Sequence, residues 1–160
     1  MLGARPAERE LQRSMFLGQP AKPFSYIDFE TREKKSFTPE PGSVVLLDFW
    51  ASWCGPCKLS FPSMIKLKEL FKDDPFEIIA ISVDADSKAA KKFLDSYKIN
   101  FQVALDPDGV VAAKYALPGM PSSFLLDQNR TVIAMHKGFR KSDFTKLKKE
   151  IEEALKRSEK

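Results

Sequence analysis

"SVVLLDFWASWCGPCKLSFP", Ser43 to Pro62, joins three signals in one short stretch. Ser43 to Trp50 is almost continuously apolar and β-branched at its start, as expected of a strand buried on both faces of a mainly parallel sheet. The two cysteines of the chain, Cys54 and Cys57, follow directly. Beyond them Leu59, Met64, Ile65, Leu67, Leu70 and Phe71 recur near helical spacing, which predicts a helix to about Lys72, kinked at Pro62. A strand thus feeds a helix through a cysteine loop, and open α/β sheets place their chemistry at the carboxyl ends of such strands.

Outward from this stretch the same grammar repeats. "FEIIAISVD" (Phe76 to Asp84) reads as a second buried strand, and Ser87 to Lys98 as a helix capped by Ser87. "FQVALD" follows as a third strand. A short helix about "VVAAKYAL" leads to "PGMPSS", and "SFLLD", "QNR" and "TVIAMHKG" form strand, turn and strand. Phe144, Leu147, Ile151 and Leu155 mark the apolar stripe of a last helix. Upstream, "FSYIDFE" and "KKSFTP" flank a polar "TRE" turn as a short hairpin. Residues 1–17 read as a charged lead-in and 18–160 as one domain, within the usual size of about 100–200 residues. Alternating strands and helices argue for an α/β sandwich around a central mixed sheet.

The cysteine pair admits three readings. A zinc site needs further ligands, and the chain offers no other cysteine and a single histidine, His136. A structural staple across so short a loop removes little unfolded-chain entropy. A redox pair accounts for the surroundings better. With Cys54 at the helix N-cap and Cys57 at the third helical position, the side chains face one another, and the positive end of the helix favours a Cys54 thiolate. Gly55 permits close approach, and Pro56 lacks an N–H that the first helical turn leaves unpaired. Cys54, exposed at the junction, would attack a substrate disulfide, and Cys57 would resolve the mixed disulfide.

Asp48 interrupts the apolar strand six residues before Cys54. A solvent-facing strand end is one reading; a buried acid that takes the Cys57 proton is the other. Trp50 and Trp53 could both be core residues, Lys58 is expected on the exposed helix surface and His136 as a plain strand residue.

"DFWASWCGPCK" resembles the active-site sequence of the thioredoxin superfamily nearly residue for residue. From about 18 to 156 the chain is similar to the extracytoplasmic TlpA/ResA/CcmG type, through its "GQPAKPFSYIDFE" entry, the added helix and strand in "SKAAKKFLDSYKINFQVALDPDG", and "GMPSSFLLDQNRTVIAMHKG". The resemblance implies a thioredoxin-like α/β/α sandwich with an N-terminal hairpin extension and an inserted helix and strand. It implies a cis Pro121, with Met120 offering its backbone to an extended substrate by strand addition. Trp53 would then lie beside Cys54, and Pro62 would complete the site's shape. Two residues depart from the pattern: Met120 stands where Thr or Val is common, and Ser60 replaces the Glu of "CxxExP". Without that acid, Asp48 is left as the group for proton transfer.

The resemblance implies thiol-disulfide exchange, with no cofactor and no metal, as a monomeric extracytoplasmic reductase whose signal or anchor is not in this chain; a cytoplasmic location is the alternative. Partners would be protein dithiols or disulfides, such as apocytochrome c or other exported thiol proteins, and an upstream thiol donor. A peroxiredoxin-type thiol peroxidase is the competing enzyme, though its Thr-x-x-Cys pocket is absent. A binding or chaperone module with incidental cysteines is the third reading. The formal charge of +4 comes from lysines interspersed with acids, which argues against a nucleic-acid face. No stretch approaches the roughly 20 apolar residues of a membrane span.

Overall fold

The computed structural model describes residues 5–38 and 41–157. Its frame is a seven-stranded mixed sheet in the order β2-β1-β5-β4-β3-β6-β7. The centre is parallel: β3 (Val44–Trp50) pairs with β4 (Phe76–Ser82), and β4 with β5 (Gln102–Leu105). Antiparallel strands flank it, β6 (Ser122–Leu126) and β7 (Val132–Lys137) on one side, β1 (Ser25–Asp28) and β2 (Lys34–Ser36) on the other. The hairpin read from "FSYIDFE" and "KKSFTP" is β1–β2. Lys35 Nζ to Asp28 Oδ2, 2.6 Å, ties its two strands.

Every residue of β3 is buried, which accounts for its continuous apolar run. Successive side chains on a strand point to opposite faces, and here they enter two separate cores. Val44, Leu46 and Trp50 meet α2 (Cys57–Leu70), α3 (Ser87–Leu94) and α5 (Lys141–Arg157). Val45, Leu47 and Phe49 meet α1 (Pro6–Phe16) and α4 (Val110–Lys114) with an aromatic cluster of Phe16, Phe24, Tyr115 and Phe124. The result is the α/β/α sandwich that the sequence implied.

Several local expectations change. The charged lead-in holds α1, whose Phe16 is buried against Tyr115 at 5.8 Å and whose Gln12 Nε2 donates to the Tyr115 carbonyl at 3.0 Å. Asp86, not Ser87, caps α3, its side chain accepting from Lys88 N at 2.9 Å. Both residue types cap well, and the boundary lies one position earlier than read. On α2, Leu59 and Leu70 face solvent, while Phe61 enters the core against Trp50, with ring centroids 4.8 Å apart. The helix runs unbroken through Pro62, which is exposed.

Candidate active site

The cysteine loop leaves the buried end of β3 and enters α2. Cys54 and Cys57 are joined as a disulfide, with Cα atoms 5.4 Å apart. Pro56 already has helical angles, φ −60° and ψ −21°, and is itself the N-cap, so α2 starts at Cys57. Lys58 N donates to the Gly55 carbonyl at 3.1 Å, closing a tight turn ahead of the helix. Cys54 therefore lies two residues before the cap instead of forming it, and Cys57 is the first helical residue instead of the third. Cys54 also offers less surface than expected. It is 5% exposed and Cys57 0%, so the order of access holds while the opening is narrow. Trp53, next to Cys54, is 59% exposed, whereas Trp50 is fully buried. Gly55, Pro56 and Lys58 are exposed.

A second acid, which sequence reading passed over, holds this loop. Asp84 lies just past β4 and is 4% exposed. It accepts from Ser52 N at 2.9 Å, Ser52 Oγ at 2.6 Å and Ser82 Oγ at 2.8 Å. Three donors satisfy the buried carboxylate and fix the backbone two residues before Cys54. Its signal was the one that exposed Asp48: an acid at the end of an apolar run.

Asp48 is 4% exposed, which rules out the solvent-facing strand end. It lies between Leu46 and Trp50 on the face that packs against Cys57. Its Oδ2 has no hydrogen-bond partner among the described residues. Burial alone pushes its carboxyl well above the usual carboxylate range. Ser60, standing where the related pattern has Glu, is buried and donates to the Cys57 carbonyl at 3.1 Å. A cavity of about 20 Å³ is bordered by Asp48, Ser60, Pro121, Ser123, His136 and Asp143.

The Met120–Pro121 bond is cis, as the resemblance implied. Gly138 N donates to the Pro121 carbonyl at 2.7 Å, and Ser122 Oγ to the Gly119 carbonyl at 2.6 Å, so this turn is pinned from β6 and β7. Met120 is half-buried and packs against both cores. Pro121 and Asp48, 73 positions apart by number, border one cavity; Pro62 does not border it. His136, read as a plain strand residue, has a partner: its Nε2 lies 2.6 Å from Glu150 Oε1.

Comparison with known proteins agrees with this geometry. Residues 17–155 match the Redoxin family. The thiol-disulfide oxidoreductase ResA of Bacillus thuringiensis subsp. konkukian is 34% identical over 148 residues, 91% of this chain and 80% of that protein. The thioredoxin-like protein YneN of Bacillus subtilis is 33% identical over 86% of this chain and 78% of its own length. Among solved structures, a thiol:disulfide interchange protein DsbE from Chlorobium tepidum superposes with a TM-score of 0.81 at 40% identity, over 87% of this chain and 97% of that one. The fold is thioredoxin-like, and the chain belongs to the Redoxin family as a thiol-disulfide oxidoreductase.

Proposed function

We propose that the Cys54–Cys57 pair exchanges with protein disulfides as an extracytoplasmic reductase, with Cys54 as nucleophile, Cys57 as resolving thiol and Asp48 as proton acceptor. The unequal burial of the two cysteines carries the assignment of roles: 5% exposure at Cys54 leaves it the accessible sulfur, against none at Cys57. The Cys54 thiolate attacks a substrate sulfur, forming a mixed disulfide and releasing one substrate thiolate. Cys57 then gives its proton to Asp48 and attacks Cys54 Sγ. The Cys54–Cys57 bond forms, the bond to substrate breaks, and its electron pair leaves on the second substrate thiolate. Two electrons pass from the enzyme dithiol to the substrate; the Cys54 proton has gone to solvent and the Cys57 proton to Asp48, and the substrate thiolates take theirs from solvent.

Trp53 and the Met120–Pro121 turn frame the entrance. Exposed Trp53 offers an apolar contact, and Met120 would offer its backbone to an extended substrate strand. Gly55, Pro56 and Pro62 shape the loop and helix. Exported thiol proteins such as apocytochrome c fit as substrates, with an upstream thiol donor restoring the dithiol. Likeness to ResA and DsbE supports the disulfide exchange itself, and the location and substrate class rest on the sequence's resemblance to the TlpA/ResA/CcmG type.

Cys57→Ala, mixed with candidate substrates, should accumulate a mixed disulfide on Cys54 that dithiothreitol releases. Asp48→Asn should lower kcat for disulfide reduction by about 100-fold, the lower end of general acid–base contributions. No trapped species with Cys57→Ala would overturn the roles of the cysteines. An unchanged rate with Asp48→Asn would remove the acid from the mechanism. The "CGPC" sequence points to a potential near the reducing end, about −270 mV, and a measured value above about −150 mV would reverse the assigned direction.

A further inference from the structure

A row of polar side chains crosses the sheet away from the cysteines. Asp48 on β3 is paired with Ser123 on β6, and Ser123 with His136 on β7. Cross-strand partners share one face of a sheet, so all three side chains point toward the layer of α2 and α5. The neighbouring row on that face is Leu46, Leu125 and Ala134. Apolar residues fill one row, then, and polar residues the next.

The polar row ends on α5. His136 Nε2 lies 2.6 Å from Glu150 Oε1, and the two side chains are 15% and 25% exposed. Asp48, at the other end, is almost closed to solvent. The cavity of about 20 Å³ touches Asp48, Ser123 and His136 together, and it has room for one water molecule. A buried acid, a hydroxyl, a space for water and a half-buried imidazole are thus contiguous.

We infer that His136, held by Glu150, is the outlet of a proton path that carries the proton received by Asp48 to solvent through Ser123 and the shared cavity. This rests on the reading of Asp48 as proton acceptor. Between oxidation and re-reduction the proton on Asp48 either returns to the Cys57 thiolate or leaves to solvent, and burial blocks its direct exchange with solvent. A histidine ring can accept a proton at one nitrogen and pass one on from the other, and Glu150 holds the ring in place through its contact with Nε2. The other groups facing the cavity do not replace it. Asp143 of α5 borders it, but its Oδ2 accepts from Arg140 N at 2.7 Å. From α2 come Ser60 and Ser63, from β6 Ser123, none titrating near neutrality. The proton that leaves Cys57 passes to Asp48, then to His136, then to water. The departing substrate thiolate takes one from solvent, so no charge accumulates inside. His136 and Glu150 act through Asp48 and are positioning residues, not catalytic ones.

The full chain is assayed for insulin disulfide reduction with excess dithiothreitol, between about pH 6 and 9, as wild type, His136→Gln, Glu150→Gln, Asp48→Asn and Asp48→Asn/His136→Gln. With His136→Gln, kcat should fall about tenfold, the scale for a residue one shell removed from the chemistry, with KM unchanged and recovery on adding imidazole. Glu150→Gln should fall in the same direction by less. The double variant should be no slower than Asp48→Asn alone. A wild-type pH profile for His136→Gln beside a slow Asp48→Asn would overturn the path and leave Asp48 as acceptor. A wild-type rate for Asp48→Asn would remove the acceptor itself. A His136→Gln loss that imidazole does not restore, accompanied by a lower Tm, would assign His136 a structural role and overturn the path. A double variant slower than Asp48→Asn would do the same by separating His136 from the acid.

Discussion

Two acids, Asp48 within β3 and Asp84 just past the adjacent β4, are equally buried, yet their surroundings differ. Asp84 and Asp48 are each 4% exposed. Asp84 gathers three donors from Ser52 and Ser82, while Asp48 Oδ2 has no partner among the described residues. Burial therefore does not decide what a carboxyl does; its hydrogen-bond partners do. A satisfied carboxylate is a fixed point, and here it anchors the backbone ahead of Cys54. A carboxyl left short of partners binds a proton more tightly than an ordinary aspartate, so in its ionised form it is the stronger base.

The sharpest way to break this contrast is to remove the anchor. Asp84→Ala strands the donors of Ser52 and Ser82 and should lower stability by about 3 kcal/mol, the upper range for hydrogen bonds to a charged group, as measured by urea unfolding. It should also slow alkylation of reduced Cys54 in the native state. Unchanged stability would make Asp84 a bystander.

Asp48 should behave in the reverse sense. A carboxyl whose value is raised in the folded state contributes stability below its unfolded value, and that contribution is lost as pH rises through the folded value. Stability of the oxidised protein should thus fall as pH rises above about 4, near the ordinary aspartate value, and through the raised folded value. Asp48→Asn should flatten that slope and exceed wild type at pH 8 by roughly 1–3 kcal/mol, the cost of a buried unsatisfied group. Equal pH slopes in thermal unfolding of the two proteins would contradict a raised Asp48.

Ser60 gives the smallest effect. Its hydroxyl donates to the Cys57 carbonyl inside its own helix, so Ser60→Ala should change kcat by less than about threefold, a free-energy difference near 0.6 kcal/mol. A loss comparable to that of Asp48→Asn would move proton transfer toward α2.

How much of this was legible in sequence depends on how far apart the interacting residues lie. β3 and β4 were readable because strands buried on both faces lose alternation and become continuous apolar runs. The cysteine loop was readable because its parts are contiguous. Helix α1 was not, since it buries only Gln12 and Phe16 and leaves Leu11 and Met15 exposed, so no apolar stripe marks it. The start of α2 shifted because Pro56 can cap the helix itself. His136 and Glu150 carry no local signal, being joined only when β7 packs beside α5. The row from Asp48 to His136 is likewise a product of strand order: β6 and β7 follow one another, but β3, beside β6 in space, lies far from it along the chain.

The two tryptophans divide the molecule optically. Trp53 is 59% exposed beside Cys54, and Trp50 is sealed in the core against Phe61 and Phe93. A water-borne quencher such as iodide reaches the first and not the second. The quenchable part of the emission then reports on the cysteine loop as it gains or loses electrons, while the protected part reports on the packing of the sandwich. One cuvette can therefore distinguish a change at the disulfide from loosening of the body that carries it.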